Sequence, residues 1–170
     1  MWTAYRPGST GRPPRRSQAR KISSELTILD AYAVLAFLKN DAAASEVEAL
    51  ISAGGTALTA VGLAEVLDHL IRISGADEED ASLDVAQLSL DDPVPIDEKL
   101  AASAGRLRAR RYHRTRCAVS LADCLTAEAA RAQHRSLATS DPALLDVCHE
   151  EGVVVIVLTG SDGTRWTPSE

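Results

Sequence analysis

Short apolar runs alternate with longer amphipathic stretches from Leu26 to Leu158. The runs are rich in Leu, Ile, Val and Thr, which is typical of buried strands; they are LTILD, TALTA, VPI, SLATSD and VVVIVL. The stretches between them repeat apolar residues three and four positions apart, as on one face of a helix. This alternation predicts an α/β fold with three layers, α/β/α, around a short and mainly parallel sheet.

Capping residues mark where several predicted helices begin and end. Ser120 stands where an N-cap is expected before LADCLTAEAARAQ, and Pro142 falls in the first turn of PALLDVCHEE. Gly54 and Gly55 follow ASEVEALISA, where a helix would stop. The basic end of DEKLAASAGRLRARR suits the carboxyl terminus of a helix.

The 170 residues suffice for one domain with a hydrophobic core. Residues 1–25 are rich in Pro, Gly, Ser and Arg and predict a disordered basic tail, residues 26–158 the folded domain, and residues 159–170 a peripheral C-terminal tail. No apolar run approaches the roughly 20 residues of a membrane span, and no apolar stretch follows the basic start as in a secretory signal. Three cysteines without zinc-type spacing predict reduced core thiols. We therefore expect a cytoplasmic protein with no membrane partner.

Charge is divided unevenly along the chain. Six of the 18 basic side chains lie in residues 1–21, which leaves 12 against 24 acidic ones in the remainder. A domain with this excess of negative charge is not expected to bind nucleic acid through its overall charge. A polyanionic ligand would need a local inversion of the field, for example by divalent metal held between carboxylates.

Four acids fall at one predicted edge of the sheet. Asp30 ends the first strand, Asp141 follows SLAT, Glu65 lies early in the helix after TALTA, and Asp123 lies in the first turn of the SLAD helix. Ligands of open α/β sheets collect at the carboxyl ends of the strands. Carboxylate oxygens are the ligands that Mg²⁺ and Mn²⁺ prefer, and such ions activate water and stabilise charge on a reacting phosphate. We expect a metal site formed by these four acids.

Each acid also has a structural interpretation. Asp30 and Asp141 are placed to cap the following helices, and Asp123 would be favoured by the helix dipole. Glu65 shares a helical stripe with other charged side chains, as on a solvated face. Taken singly, each acid fits these roles better than catalysis; taken jointly, the four favour a site.

The segments LDAYAVLAFL, LAEVL, VPIDEKLAASAGRLRAR, SLADCLTAEAA and LATSDPAL carry a family likeness. In this order the chain resembles the PIN-domain ribonucleases, most closely the VapC-type toxins of bacterial toxin–antitoxin pairs. The resemblance implies metal-binding and catalytic acids at Asp30, Glu65, Asp123 and Asp141, and a Mg²⁺- or Mn²⁺-dependent endoribonuclease. It also implies a homodimer, a cognate antitoxin, and tRNA or rRNA as substrate.

Two positions depart from the family pattern. Gly62 stands three residues before Glu65, where Asn is common, and Tyr32 stands two residues after Asp30, where Ser or Asn is frequent. Both positions support the metal site in the family, so metal affinity or preference is expected to differ here. Neither change removes one of the four acids.

A dense basic stretch precedes the SLAD helix. As a solvated helix end it needs no ligand; as a nucleic-acid contact it would offer RNA phosphates a landing surface beside the metals, with Tyr112 for base stacking. The predicted RNA-binding residues are Arg110, Arg111, Arg114 and Arg116. Two other functions stay open: a catalytically silent PIN-like module that binds RNA or protein, and a phosphodiesterase acting on DNA.

Overall fold

Four short parallel strands form the centre of the fold, in the spatial order β2-β1-β3-β4. The computed structural model describes residues 26–168. The strands are β1 (Thr27–Leu29), β2 (Thr56–Ala57), β3 (Ser136–Thr139) and β4 (Val155–Val157). The helices are α1 (Ala31–Leu38), α2 (Ala44–Ala53), α3 (Ala60–Asp68), α4 (Glu78–Ala86), α5 (Glu98–Arg111), α6 (Leu121–Ala132) and α7 (Pro142–Glu151).

Alternate residues of the central strands bury into two separate cores, one on each face of the sheet. Ile28 and Leu137 face a core formed with α5, α6 and α7, whereas Leu29 and Ala138 face a core formed with α1, α2, α3 and α4. Because both faces of the sheet are covered by helices, the predicted three-layer α/β/α architecture is confirmed. With every described strand parallel, their carboxyl ends lie at one edge of the sheet.

The prediction of a strand at VPI is wrong. Val94 forms only an isolated bridge to Thr59, and its backbone N–H donates to the carbonyl of Leu58 at 2.8 Å. Pro93 and Pro95 flank it and have no N–H to continue a ladder. The segment is therefore a connection between α4 and α5 that touches the sheet at one point.

The helix expected after TALTA changes from α-helical to π-helical hydrogen bonding along its length. Helix α3 ends at Asp68 and continues as a π-helical turn, His69–Ile73. The next helix, α4, begins after this turn and ends at Ala86. No described helix is both long and apolar enough to cross a bilayer.

The thiols agree with the sequence. Cys117, Cys124 and Cys148 are all free, and the last two are buried in the core between α6, α7 and the sheet. Burial raises the pKa of Cys124 to about 11 and that of Cys148 to about 12, because an apolar setting disfavours the thiolate. Both are packing residues.

The C-terminal segment 159–168 turns back across the domain. Its Thr159 backbone N–H donates to Glu46 of α2 at 3.3 Å, and the Arg165 guanidinium donates to the same carboxylate at 2.9 Å. The indole N–H of Trp166 donates to Asp146 of α7 at 2.8 Å. These bonds hold the segment against two helices. The predicted basic tail, residues 1–25, lies outside the described residues.

Candidate metal centre

The parallel register brings the ends of β1 and β3 side by side. Leu29 pairs with Ala138, and the backbone N–H of Asp30 donates to the carbonyl of Ala138 at 3.2 Å. Asp30 then caps α1, and Asp141 caps α7 by accepting from Leu144 N at 2.8 Å. Two of the four predicted acids therefore begin helices from adjacent strand ends.

Asp30 is held at a buried position on the inside of this edge. Its Oδ1 accepts from the backbone N–H of Ala33 at 2.6 Å, and its Oδ2 accepts from the hydroxyl of Thr139. Burial raises the pKa of Asp30 to about 7, against the lowering effect of those two hydrogen bonds. The charges of Asp123 and Asp141 contribute to this raised pKa.

Asp123 is fixed by a reciprocal capping box at the start of α6. Its backbone N–H donates to Ser120 Oγ at 3.0 Å, while its Oδ2 accepts from Ser120 N at 2.7 Å. The helix that bears Asp123 meets the start of α3 one turn further on, where Thr126 Oγ1 lies 3.5 Å from Thr59 Oγ1 in the interior. This contact places the helix of Glu65 against the helix of Asp123.

The geometry explains one of the two departures from the family pattern. Thr59 caps α3 by accepting from Gly62 N at 2.9 Å. A Cβ added to Gly62 would lie 3.2 Å from Thr59 Oγ1 and 3.4 Å from a methyl carbon of Leu58. A larger side chain at position 62 would therefore press on the cap that joins α3 to α6. Tyr32, the other departure, is 56% exposed and lines a surface pocket beside Asp141.

The four acids act on one another electrostatically. Burial is the largest cause of the raised pKa of Asp30, Glu65 and Asp141. The negative charge of Asp123 also raises the pKa of each of them. No described Lys, Arg or His forms an ion pair with any of the four. The structure thus brings together acids from four separate segments without a neutralising side chain.

The chemistry of this donor set fits a hard divalent cation. Oxygen ligands and excess negative charge are what Mg²⁺ and Mn²⁺ require, and a bound ion would relieve the repulsion among the acids. Within residues 26–168, no three His, Cys, Asp or Glu side chains are already close enough to hold an ion. Asp30, Glu65, Asp123 and Asp141 are the residues that would hold the ion.

Two of the predicted RNA-binding arginines, Arg110 and Arg111, lie at the far end of α7. Arg111 donates to Glu151 at 2.6 Å and also contacts Glu150, and Arg110 donates to Glu151 at 3.3 Å. Along the helix these acids are about 14 Å from Asp141, at 1.5 Å per residue. Arg110 and Arg111 thus form ion pairs with Glu150 and Glu151, at a distance from the four acids of the candidate metal site.

Arg114 and Arg116 differ from their two neighbours. Both are exposed, and neither has an ion pair with a residue that the structure describes. Tyr112 lies between the two pairs in the sequence, and the guanidinium of Arg108 stacks over its ring at 4.3 Å. The basic stretch therefore divides into a structural half and an unpaired half.

Three residues of the site were missed from the sequence. Thr139 and Thr59 contact the acids or their helices through buried hydroxyls, and Trp166 lines the pocket next to Asp141. A Thr at a strand end resembles any other β-branched strand residue, so only the pairing of β1 with β3 reveals its partner. The turn-rich sequence around Trp166 contains no pattern that predicts a functional role for this residue.

Comparison with known protein families decides the classification. The model of the PIN domain matches residues 27–150, which include all four acids. The chain belongs to the PIN domain family. Members of this family are typically nucleases and generally use divalent metal ions, which agrees with the donor set. The match supports a hydrolase in general terms.

Solved structures share the fold at low sequence identity. A chain of VapBC2 from Rickettsia felis, bound to a DNA fragment from its promoter, has 18% identity and a TM-score of 0.56, over 76% of this chain and 96% of that one. FitAcB from Neisseria gonorrhoeae has 20% identity and a TM-score of 0.56, over 76% and 95%. PAE2754 from Pyrobaculum aerophilum has 18% identity and a TM-score of 0.56, over 78% and 90%. No curated protein matches the chain.

Proposed function

We propose that this PIN domain is a Mg²⁺- or Mn²⁺-dependent endoribonuclease and the toxin of a toxin–antitoxin pair. The observation that carries the proposal is the convergence of Asp30, Glu65, Asp123 and Asp141 at one edge of a parallel sheet. Carboxylates held close together destabilise a fold through their mutual repulsion until a cation neutralises them. A structural role explains each cap separately but does not explain why four acids share one edge.

The chain's own residues would hold and orient the reacting groups. Asp30 and Asp141 are positioned by the same hydroxyl, that of Thr139, which contacts one carboxylate and accepts from the other residue's backbone N–H at 3.0 Å. Asp123 is oriented by Ser120. A divalent ion bound there supplies an activated water and stabilises negative charge on the phosphate during hydrolysis. Glu65, exposed on α3, is placed to complete the ligand set or to hold a water by hydrogen bonding.

RNA, with tRNA or rRNA as the expected targets, is the proposed substrate. The unpaired guanidinium groups of Arg114 and Arg116 are available to phosphates, and Tyr112, which is 43% exposed, is accessible to a base. Metal chemistry alone does not distinguish RNA from DNA, because carboxylates do not contact a 2′-hydroxyl. A digest of matched RNA and DNA oligonucleotides separates the two.

A cognate antitoxin and a second copy of the chain are the proposed partners. The similarity to a chain of VapBC2, a toxin–antitoxin complex bound to a DNA fragment from its promoter, supports an antitoxin as a partner. The surface offers apolar area for such partners: a groove between α3 and α4 is lined by Leu63, Leu67, Val85 and Leu90, and Leu83 is 55% exposed nearby. Amphipathic helices bind grooves of this kind.

The decisive experiment is a cleavage assay on end-labelled total tRNA and rRNA, with the purified chain in Mn²⁺, in Mg²⁺ and in EDTA. Asp30→Asn and Asp123→Asn should abolish cleavage, since each removes charge from the site while an amide oxygen can still cap. Asp77→Asn is the control, because Asp77 is also a helix-capping acid but lies on the exposed surface at the start of α4.

The outcomes separate the proposed function from its alternatives. Discrete cuts that need metal, vanish in both site variants and persist in the Asp77 variant establish the nuclease. A folded protein that binds RNA but cuts nothing in either metal is a silent binding module. Cleavage confined to DNA oligonucleotides would refute the RNA assignment while retaining the metal site.

A further inference from the structure

Trp166 occupies an unusual place for a residue near the end of the chain. Its indole N–H is bonded to Asp146, and its ring meets His149 edge to face, with ring centres 6.0 Å apart. Arg165, one residue before it, donates to Glu46 of α2 at 2.9 Å. The ring is thus fixed in orientation against α7 and remains partly exposed.

Two surface pockets meet at this ring. One, of about 320 Å³, contains Tyr32 and the metal-site residue Asp141. The other, of about 430 Å³, lies between α7 and the segment after α5 and contains Tyr112 and Arg116. Trp166 lines both. Three aromatic side chains therefore follow one another along a surface that begins at the metal site.

The charges of this face suit a polyanion at its far end. Asp146 is engaged by Trp166, and Glu150 by Arg111. Arg116 has no acidic partner among residues 26–168. Aromatic side chains next to an unpaired arginine form the combination that binds single-stranded nucleic acid without reading its sequence.

We propose that the face formed by Tyr32, Trp166, Tyr112 and Arg116 binds the single-stranded part of the RNA next to the cleaved bond, with a base stacked on Trp166 and phosphates at Arg116. The inference rests on the proposed function, since it takes RNA as the substrate. Stacking on Trp166 requires an RNA base that is not paired in a duplex. We therefore expect single-stranded RNA and loops to be bound in preference to duplexes.

Trp166 supplies its own reporter. The chain has two tryptophans, so Trp2→Phe leaves Trp166 as the sole indole. We would titrate this protein in EDTA, where the metal-dependent cleavage is silent, with a short oligouridine that also carries a dye for anisotropy. Indole fluorescence should be quenched in step with binding. An abasic oligomer of equal length, and a duplex, should bind without quenching.

Variants test whether the ring contributes affinity or only anchors the segment. Trp166→Ala should weaken oligouridine binding at least fivefold, with the salt dependence unchanged, since stacking releases no counterions. Trp166→Phe should retain most of the affinity. Arg116→Gln should instead reduce the magnitude of the slope of log affinity against log salt by about 0.7. Asp146→Ala, which frees the indole without removing it, controls for loss of anchoring.

Each result bears on a different statement. Quenching with loss of affinity in Trp166→Ala supports the proposed face. Bound RNA without quenching, or equal losses in Trp166→Ala and Asp146→Ala, overturns it and leaves the nuclease intact. Quenching by an antitoxin but not by RNA assigns the face to protein and also overturns it. Absence of both RNA binding and cleavage refutes the proposed function and the inference together.

Discussion

The hydroxyl of Thr139 donates a hydrogen bond to the carboxylate of Asp30, joining the end of β3 to the end of β1. The same oxygen accepts the backbone N–H of Asp141 at 3.0 Å. Thr139 is fully buried, so no water replaces it. One small side chain therefore sets the relative position of two proposed metal ligands.

Thr139→Val should weaken Mn²⁺ binding about 10- to 100-fold, the usual cost of losing a hydrogen-bonding partner of a metal ligand. Valine has nearly the same shape, so the core remains filled while Asp30 loses its donor. Isothermal titration with Mn²⁺ measures the change. Thr139→Ser keeps the hydroxyl and serves as the control; an equal loss in both variants would assign the effect to packing.

Asp30→Asn should stabilise the metal-free protein, and more so at higher pH. The pKa of Asp30 is about 7 in the folded chain, above its ordinary 3.8, so folding favours the protonated form. That contribution is complete below pH 4 and is lost as pH rises to 7. The variant should therefore gain up to about 4 kcal/mol at pH 8, and less at pH 5.

Urea unfolding in EDTA at both pH values measures this difference. Asp77→Asn, at an exposed cap, should change little at either pH. A gain in Asp30→Asn that is the same at pH 5 and pH 8 would mean that the carboxylate is not strained by burial. Added Mn²⁺ should reverse the order and favour the wild-type chain, because the ion stabilises the ionised form.

The sequence predicted the sheet edge better than it predicted the roles of single residues. Asp30, Asp123 and Asp141 were each open to two interpretations, as caps and as site residues. The structure shows all three in caps or a capping box, and it also shows them electrostatically coupled. Because each helix begins at the carboxyl edge of the sheet, the same position serves both purposes.

Features that depend on long-range contacts escaped prediction. The proximity of Arg111 to Glu150 arises from the packing of α5 beside α7, 39 residues apart in sequence, so it does not appear in the local basic pattern. The hydrogen bond between Trp166 and Asp146 likewise depends on where the last segment turns. For VPI, the apolar triplet predicts a strand, but Pro93 and Pro95 have no N–H to donate to a neighbouring strand.

Arg131→Ala should destabilise the fold by about 2 kcal/mol without affecting cleavage. Glu128 is nearly fully buried, and its carboxylate is held by Arg131 at 2.5 Å and by the Ser103 hydroxyl at 2.7 Å. Removing the cation leaves a buried carboxylate without its charged partner. Arg72→Ala is the control, since its partner Asp68 is exposed and such pairs contribute less than about 1 kcal/mol. Equal losses in urea unfolding would contradict the role of burial.

The two halves of the basic stretch should respond differently to neutralisation. Replacing Arg114 and Arg116 together with Gln should weaken RNA binding and reduce the magnitude of the salt slope by about 1.4, or 0.7 for each phosphate contact on a single strand, while Mn²⁺ binding stays unchanged. The Gln variants of Arg110 and Arg111 lose ion pairs to α7 and should mainly lower stability. Anisotropy with labelled RNA across a salt series, beside thermal unfolding, measures both effects. If the Arg110 and Arg111 variants change the salt slope as much as the other pair, those guanidinium groups leave their acids when RNA binds, and the whole stretch forms the RNA contact.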